Sequence, residues 1–309
     1  MTPRLTEVAS GLRFPEGPIA MPDGSVVLVE IARGTLSRVT PDGAIEVIAE
    51  LGGGPNGAAI GPDGRCYVCN NGGFDWFEKN GAMFSGLQGD AYSGGRIERV
   101  DLATGEHEVL YDSCDGVPLK GPNDIVFDAD GGFWFTDHGK TRMHEIDRTG
   151  VFYAKADGSG IRRVIFPLHG PNGIGLSPDG DTLYVAETPT ARLLAFDLEG
   201  PGRIVKGRGE TAWMHGRMLA VRPDYSVLDS LAVDDAGKVC VGTLFTGGIT
   251  VVDPDTREID FVPMPDPWAT NICFGGPDLV TAFITLSSSG RLVSMPWPRP
   301  RTPLNFLNT

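Results

Sequence analysis

The chain has no apolar run long enough to cross a bilayer, no excess of basic charge and no sustained helical period. The first absence excludes a membrane-spanning helix, which needs about 18 or more consecutive apolar residues. With 26 Lys and Arg against 40 Asp and Glu, the net charge is −14. That balance argues against nucleic acid and anionic lipid surfaces as partners, since both require a basic footprint. The opening "MTPRLTEVASG" lacks a basic head followed by an apolar core, so no signal peptide is expected. Cys66, Cys69, Cys114, Cys240 and Cys273 have no disulfide-framework spacing, and a reducing cytoplasm is the expected location. "CYVC" (66–69) follows a turn and reads as a strand, on which residues three apart face opposite ways. Cys66 and Cys69 are therefore expected as small apolar strand residues, and no second CxxC exists to complete a zinc site. Neither a GxSxG elbow nor an HExxH helix is present.

Turn-forming residues are abundant instead: 43 Gly and 24 Pro, spread without low-complexity runs. Hydrophobic content of 41% with 21% charge describes a soluble, globular chain. Turn signals recur at "MPDGS" (21–25), "TPDGA" (40–44), "GPDGR" (61–65), "DADGG" (128–132), "ADGSG" (156–160), "SPDGD" (177–181) and "DDAGK" (234–238). Between them lie short runs rich in β-branched and aromatic residues, such as "SVVLVE", "GFWFTD", "TLYVAE" and "GITVVD". Hairpin following hairpin predicts an all-β repeat fold.

The repeats align on the residue before each first strand: Glu16, Asn56, Asn123, Asn172, Asp229 and Asn271. Their separations are 40, 67, 49, 57 and 42 residues, and the shortest two match a four-stranded propeller blade of roughly 40–50 residues. The longest interval holds an extra loop at 70–93, and the 57-residue interval holds a long approach at 207–227. Six anchors predict a six-bladed β-propeller occupying residues 1–309 as a single domain. The sixth repeat supplies only three strands, so "RLTEVAS" (4–10) is expected to add the fourth and close the ring. The Pro-rich tail after Trp297 is expected to run along the surface.

In a propeller the innermost strand starts at the central channel, so six polar starts make a ring of side chains at its mouth. Asn70, Asp137, His138, Glu187 and Thr243 end or follow second strands and are expected on the same face. Two carboxylates among four carboxamides repel unless a cation neutralises them. Oxygen-only ligands favour a hard divalent ion, calcium first, with magnesium, manganese or zinc as alternatives. The same residue types also cap strands and turns, and a lone Asn is more often that. Six aligned anchors favour the metal.

From "FPEGP" through "PNDIVFD" and "PNGIGLSPDGDTLYVAET" to "LDSLAVDDAGKV", the chain resembles the SMP-30/gluconolactonase/LRE family of six-bladed propellers. The resemblance implies one divalent metal at the channel mouth, held by Glu16, Asn172 and Asp229, with Asn123 near metal or substrate. It also implies a lactonase, opening a sugar lactone or a more apolar cyclic ester. Phosphotriester or other ester hydrolysis is the alternative chemistry, and a non-catalytic binding platform is the alternative class.

The expected mechanism is hydrolysis with the carbonyl polarised by the ion. Asp229 is the candidate general base as well as a ligand. A carboxylate held on a cation is a weak base, which leaves water activation by the ion as the other route. Asn56, Asn123, Asn271 and His138 are candidate substrate contacts around the mouth. Trp76 joins them because loop 70–93, with Phe74, Trp76, Phe77, Met83, Phe84 and Tyr92, reads either as an apolar lid or as a loop packed on itself or on another subunit. His138 and His215 are equally compatible with plain loop positions, and His107 with the surface.

Overall fold

The computed structural model describes residues 4–207, 216–277, 279–299 and 303–307. Within them the chain is all strand, hairpin and turn, and no helix is long and apolar enough to cross a membrane. His215 lies outside the described residues.

Six antiparallel units follow one another along the chain in a propeller-like arrangement, each of four strands except the fourth, where both Arg203–Ile204 and Arg217–Val221 pair with Arg192–Gly200. Their innermost strands are Pro15–Ala20, Pro55–Ile60, Pro122–Phe127, Pro171–Leu176, Val227–Val233 and Trp268–Gly275. Each innermost strand packs against the next, and the last packs against the first. The gradient of burial follows from that order. Pro122–Phe127 and Gly132–Asp137 are buried throughout, whereas the outer Ile161–Leu168 alternates between exposed and buried residues. Continuous apolar runs such as "GFWFTD" therefore belong to strands covered on both faces.

Neighbouring units are pinned by polar bonds as well as by apolar packing. Thr136 Oγ1 donates to Asn172 O at 2.6 Å, and Ser287 Oγ donates to Pro15 O at 2.6 Å. The fifth and sixth units are joined further by a short ladder, Thr243 to Ala269 and Leu244 to Trp268.

The N-terminal strand Thr6–Ser10 pairs with Arg291–Pro296, through Thr6 with Ser294 and Ser10 with Arg291, and gives the sixth unit its fourth strand. The approach segment 207–227 contains an outer strand, Arg217–Val221, which pairs with Arg192–Gly200. All five cysteines are free and buried. Cys66 packs with Val27 and Ile60, while Cys69 packs with Phe127 and Phe133, on opposite faces of the strand.

The tail keeps to the surface, as its prolines suggested, and its last described stretch lies across the ends of the inner strands. Residues 303–307 lie at the channel end opposite the anchors, where Asn305 Nδ2 donates to Phe127 O at 3.0 Å and Phe306 meets Phe127 edge-on at 5.9 Å. Leu304 and Leu307 help line a cavity of about 400 Å³ that reaches up past Ile125 and Ile272 to Asp124 and Asn271. Apolar spacing in "PLNFL" drives this seat, because those side chains cover the open ends of inner strands.

Removing residues 1–10 strips Arg291–Pro296 of its partner and uncovers the residues beneath Ala9. The truncated chain should be insoluble, or should melt roughly 5–10 °C or more below the full chain. Melting within about a degree or two of the parent would show that this strand adds little.

Candidate active site

Every innermost strand carries a register shift at its anchor. Pairing skips a residue between Glu16 and Ile19, Pro55 and Ala58, Pro122 and Ile125, Pro171 and Ile174, Leu228 and Leu231, and Ala269 and Asn271. A bulge of this kind inserts an unpaired residue and re-aims its side chain. Here Asn56, Asn123, Asn172 and Asp229 fall inside the skipped stretches, while Glu16 and Asn271 border theirs and stay paired with Val29 and Thr285. The strands also come very close together there. A Cβ on Gly57 would overlap the carbonyl of Asn123, and one on Gly173 would lie 2.6 Å from the carbonyl of Asp229.

Glu16, Asn56, Asn123, Asn172 and Asn271 are buried, and Asp229 keeps part of its surface exposed. Glu16 Oε2 accepts from Gly17 N at 2.5 Å and from Asn271 Nδ2 at 2.6 Å. Asn172 Nδ2 donates to Asp229 Oδ1 at 2.6 Å and to Thr188 Oγ1 at 3.0 Å. Asn172 Oδ1 receives only a long 3.3 Å contact from Ser230 Oγ. Asn271 Oδ1 is taken by Ile272 N at 2.7 Å. Two buried oxygens in the ring have no hydrogen-bond donor at all, Glu16 Oε1 and Asn123 Oδ1. Leaving such atoms unsatisfied costs about 1–3 kcal/mol each.

A third acid belongs with them, and the repeat alignment passed over it. Asp124 is buried directly after Asn123, at the position where other repeats have Gly57 and Gly173. Its Oδ1 accepts from Ile125 N at 2.9 Å and its Oδ2 from Ile174 N at 3.2 Å. The difference between "GPND" and "GPNG" was the available signal: an acid where close strand packing otherwise calls for glycine.

Burial raises the Glu16 carboxyl to about 7. It also raises Asp124 to about 8, with the charge of Glu16 adding to the effect. Asp229 stands well above the ordinary carboxyl range, through burial first and then repulsion from Glu16 and Asp124. No Lys or Arg relieves any of the three among the described residues. Nor, among the same residues, do three His, Cys, Asp or Glu groups converge tightly enough to hold a metal alone. A cation here must therefore draw on carboxamide oxygen. The carboxylates of Glu16 and Asp229 with the carboxamide oxygens of Asn172 and Asn123, of which Glu16 Oε1 and Asn123 Oδ1 have no donor, fit a hard divalent ion.

The polar residues ending the second strands do different work. Glu30 Oε2 accepts from Arg13 N at 2.7 Å, Asn70 Oδ1 from Gly54 N at 2.8 Å, Asp137 Oδ1 from Gly121 N at 2.7 Å and Glu187 Oε1 from His169 N at 2.8 Å. Each clips the segment that leads into its own sheet's innermost strand. Thr243 bonds within its sheet, to Thr250 Oγ1 at 2.7 Å. His138 is held at about 4 by burial, hence neutral, with Nε2 close to the Cβ position of Gly170. Trp76 is half-buried against Phe14, centroids 4.9 Å apart, in a hairpin of Trp76–Lys79 and Ala82–Ser85. That hairpin packs on its own rings, with Phe77 stacked on Phe84 at 5.5 Å.

The family described as the SMP-30/gluconolactonase/LRE-like region matches residues 14–288. A gluconolactonase of Zymomonas mobilis is 26% identical over 87% of this chain and 75% of its own length. A lactonase, drp35, of Staphylococcus saprophyticus is 34% identical over 57% of this chain, which spans 48% of that relative. Among solved structures, a gluconolactonase of Xanthomonas campestris superposes with a TM-score of 0.75 at 25% identity, over 96% of this chain and 90% of that one. A calcium-binding protein, regucalcin, of Agrobacterium tumefaciens gives 0.71 at 19% identity over 95% of each chain, a likeness of fold. With its anchors, bulges and inner strands all inside the matched span, the chain belongs to the SMP-30/gluconolactonase/LRE-like family.

Proposed function

We propose that the protein is a divalent-metal-dependent lactonase built on a closed six-bladed propeller, with Glu16, Asn172 and Asp229 holding one ion. The observation that carries this reading is the mouth itself: three crowded carboxyls, two buried oxygens without donors and, among the described residues, no cationic side chain. The gluconolactonase and lactonase relatives support a lactone as substrate. The calcium named for the regucalcin neighbour supports calcium as the first candidate ion. Five free, buried thiols favour a reducing compartment such as the cytoplasm.

When bound, the ion would polarise the lactone carbonyl and stabilise charge that develops on its oxygen. The protein's own residues divide the remaining tasks. Glu16, buried and fixed by Gly17 and Asn271, is suited to permanent ligation. Asp229 is the carboxylate with a surface open to the mouth, so it is placed to take a proton from attacking water. Asn123 Oδ1, without a donor, can orient that water or the substrate. Asn271 secures Glu16 rather than offering a free group to substrate. Asp124, on the channel side of the ring, adds the negative charge that strengthens cation binding.

The first test reads stability rather than activity. Without a cation, Glu16 at about 7 and Asp124 at about 8 keep protons that the unfolded chain, with carboxyls near 4, has released. Folding then takes up protons, so metal-free protein is most stable below about pH 4 with respect to these groups and loses that stability as pH climbs through about 7–8. A saturating divalent ion should flatten the loss, and Asp124→Asn should reduce it. Identical melting-temperature profiles with and without metal across pH 5–9 would refute the cation site.

The second test separates ligand from base. Chelation should abolish lactone hydrolysis and added metal restore it. Asp229→Asn, loaded to measured full occupancy, should lose about a hundredfold or more in kcat, the scale of general-base removal. Glu16→Gln should recover most of its activity in excess metal, because its chief defect is affinity. Equal recovery of both variants would remove Asp229 from the base role.

A further inference from the structure

Large apolar side chains exposed at the surface are unevenly placed among the described residues. Phe77, Leu87, Met143, Ile146, Tyr225 and Phe245 all sit on connections at the channel end that carries the anchors. At the opposite end Ile259 and Val280 are the comparably exposed residues, and acidic turns dominate. Chance surface exposure would not sort by end; single exposed apolar residues are normally scattered.

Trp268 is the hub beneath this rim. Phe14, Phe84 and Phe245 meet it edge-on at 5.5, 5.8 and 6.2 Å, and Phe77 extends the row by stacking on Phe84. Phe14 and Phe245 hold these positions with φ of 59° and 73°, in the left-handed region that costs a bulky residue energy. Trp268 lies three strand residues from Asn271, about 10 Å at extended spacing. Asn271 in turn is bonded to Glu16. The apolar wall therefore begins within one small-molecule length of the proposed metal ligands.

This wall is fixed. Lys140 Nζ donates to Asn71 Oδ1 at 2.9 Å and to Gly73 O at 2.8 Å, and lies 3.7 Å from the centroid of Phe74. Arg142 Nη1 donates to Gln88 Oε1 at 3.1 Å, and Met83 N donates to Ser288 O at 2.8 Å. The loop is thus tied to the third sheet on one side and the sixth on the other. Within the ring, Asn172 is held by Asp229, Thr188 and Ser230, and Asn271 by Glu16 and Ile272 N, while Asn123 Oδ1 stays without a donor.

We propose, building on the lactonase reading, that this rim binds an apolar substituent, so the preferred substrates are alkyl- or aryl-substituted lactones rather than polyhydroxylated ones. Phe77 and Phe245 form the exposed edge that contacts the substituent, with Trp268 behind them.

The test uses metal-loaded full-length protein and a series of δ-lactones carrying unbranched alkyl chains of one to seven carbons, with glucono-δ-lactone as the hydroxylated comparison. kcat/KM should rise about two- to fourfold per added methylene until the rim is filled. Phe77→Ser and Phe245→Ser should each reduce that slope, while Val109→Ser on an outer strand should leave it unchanged. No hydrolysis of any lactone would refute the lactonase reading itself. Hydrolysis with a flat slope, or with preference for the hydroxylated lactone, would refute the apolar rim and leave the lactonase reading standing. A dimer in sedimentation that Phe77→Ser and Phe245→Ser abolish, with a chain-length slope unaffected by either, would overturn the assignment by making the rim a contact between copies.

Discussion

Three carboxyl groups crowded at the end of a narrow channel, with no basic side chain among the described residues to balance them, set the terms for the rest of this structure. In that setting each acid raises the others' affinity for protons, and a cation is the natural replacement for those protons. The backbone is shaped to produce the crowding. Six register shifts fall at the anchors and leave four of them outside the ladder pairing, and glycines let neighbouring strands approach where a Cβ would collide. The channel is thereby narrow enough for opposite sides to bond, as Asn271 does with Glu16 and Asn172 with Asp229.

Polar residues of the same types serve two purposes, and position in the sheet separates them. Asn70, Asp137 and Glu187 end second strands and accept from backbone amides, so their lone pairs are occupied. Glu16 Oε1 and Asn123 Oδ1 belong to the bulged strands and have no donor. The clips fix the entry of each innermost strand. That rigidity holds the unsatisfied oxygens in place, because relaxation toward a donor would require breaking buried bonds.

The two ends of the channel are closed by different means. At the far end, Asn305 and Phe306 dock on Phe127 beside a cavity of about 400 Å³ that Leu304 and Leu307 help to line. At the anchor end, aromatic loops surround the mouth without covering Asp229 completely. Lys140 joins two of these loops, and burial holds its amine down at about 7. Its contact with the Phe74 ring and two oxygen acceptors stabilises it without a carboxylate directly bonded to the amine. Access from solvent therefore runs through an apolar rim to a strongly acidic centre.

The strand repeats, the six anchors and the fourth strand from the N-terminus were readable in the sequence, because period-two apolar runs and Pro-Asp-Gly turns report local backbone preference directly. The family was readable as well, from phrases that span most of the chain. Asp124 was visible as a letter but not as a site member, since alignment on the anchors treats its neighbour position as packing. The roles of Asn70, Asp137 and Glu187 could not be read from strand order alone. Whether a polar side chain bonds an amide or faces the mouth depends on a bulge that shifts register by one residue, and that shift goes with how closely neighbouring innermost strands pack. The tail shows the same limit: composition gives its stiffness, but only the exposed ends of the inner strands decide where "PLNFL" comes to rest. Local sequence determined which residues stand at the mouth. Tertiary packing decided which of their oxygens were left without donors.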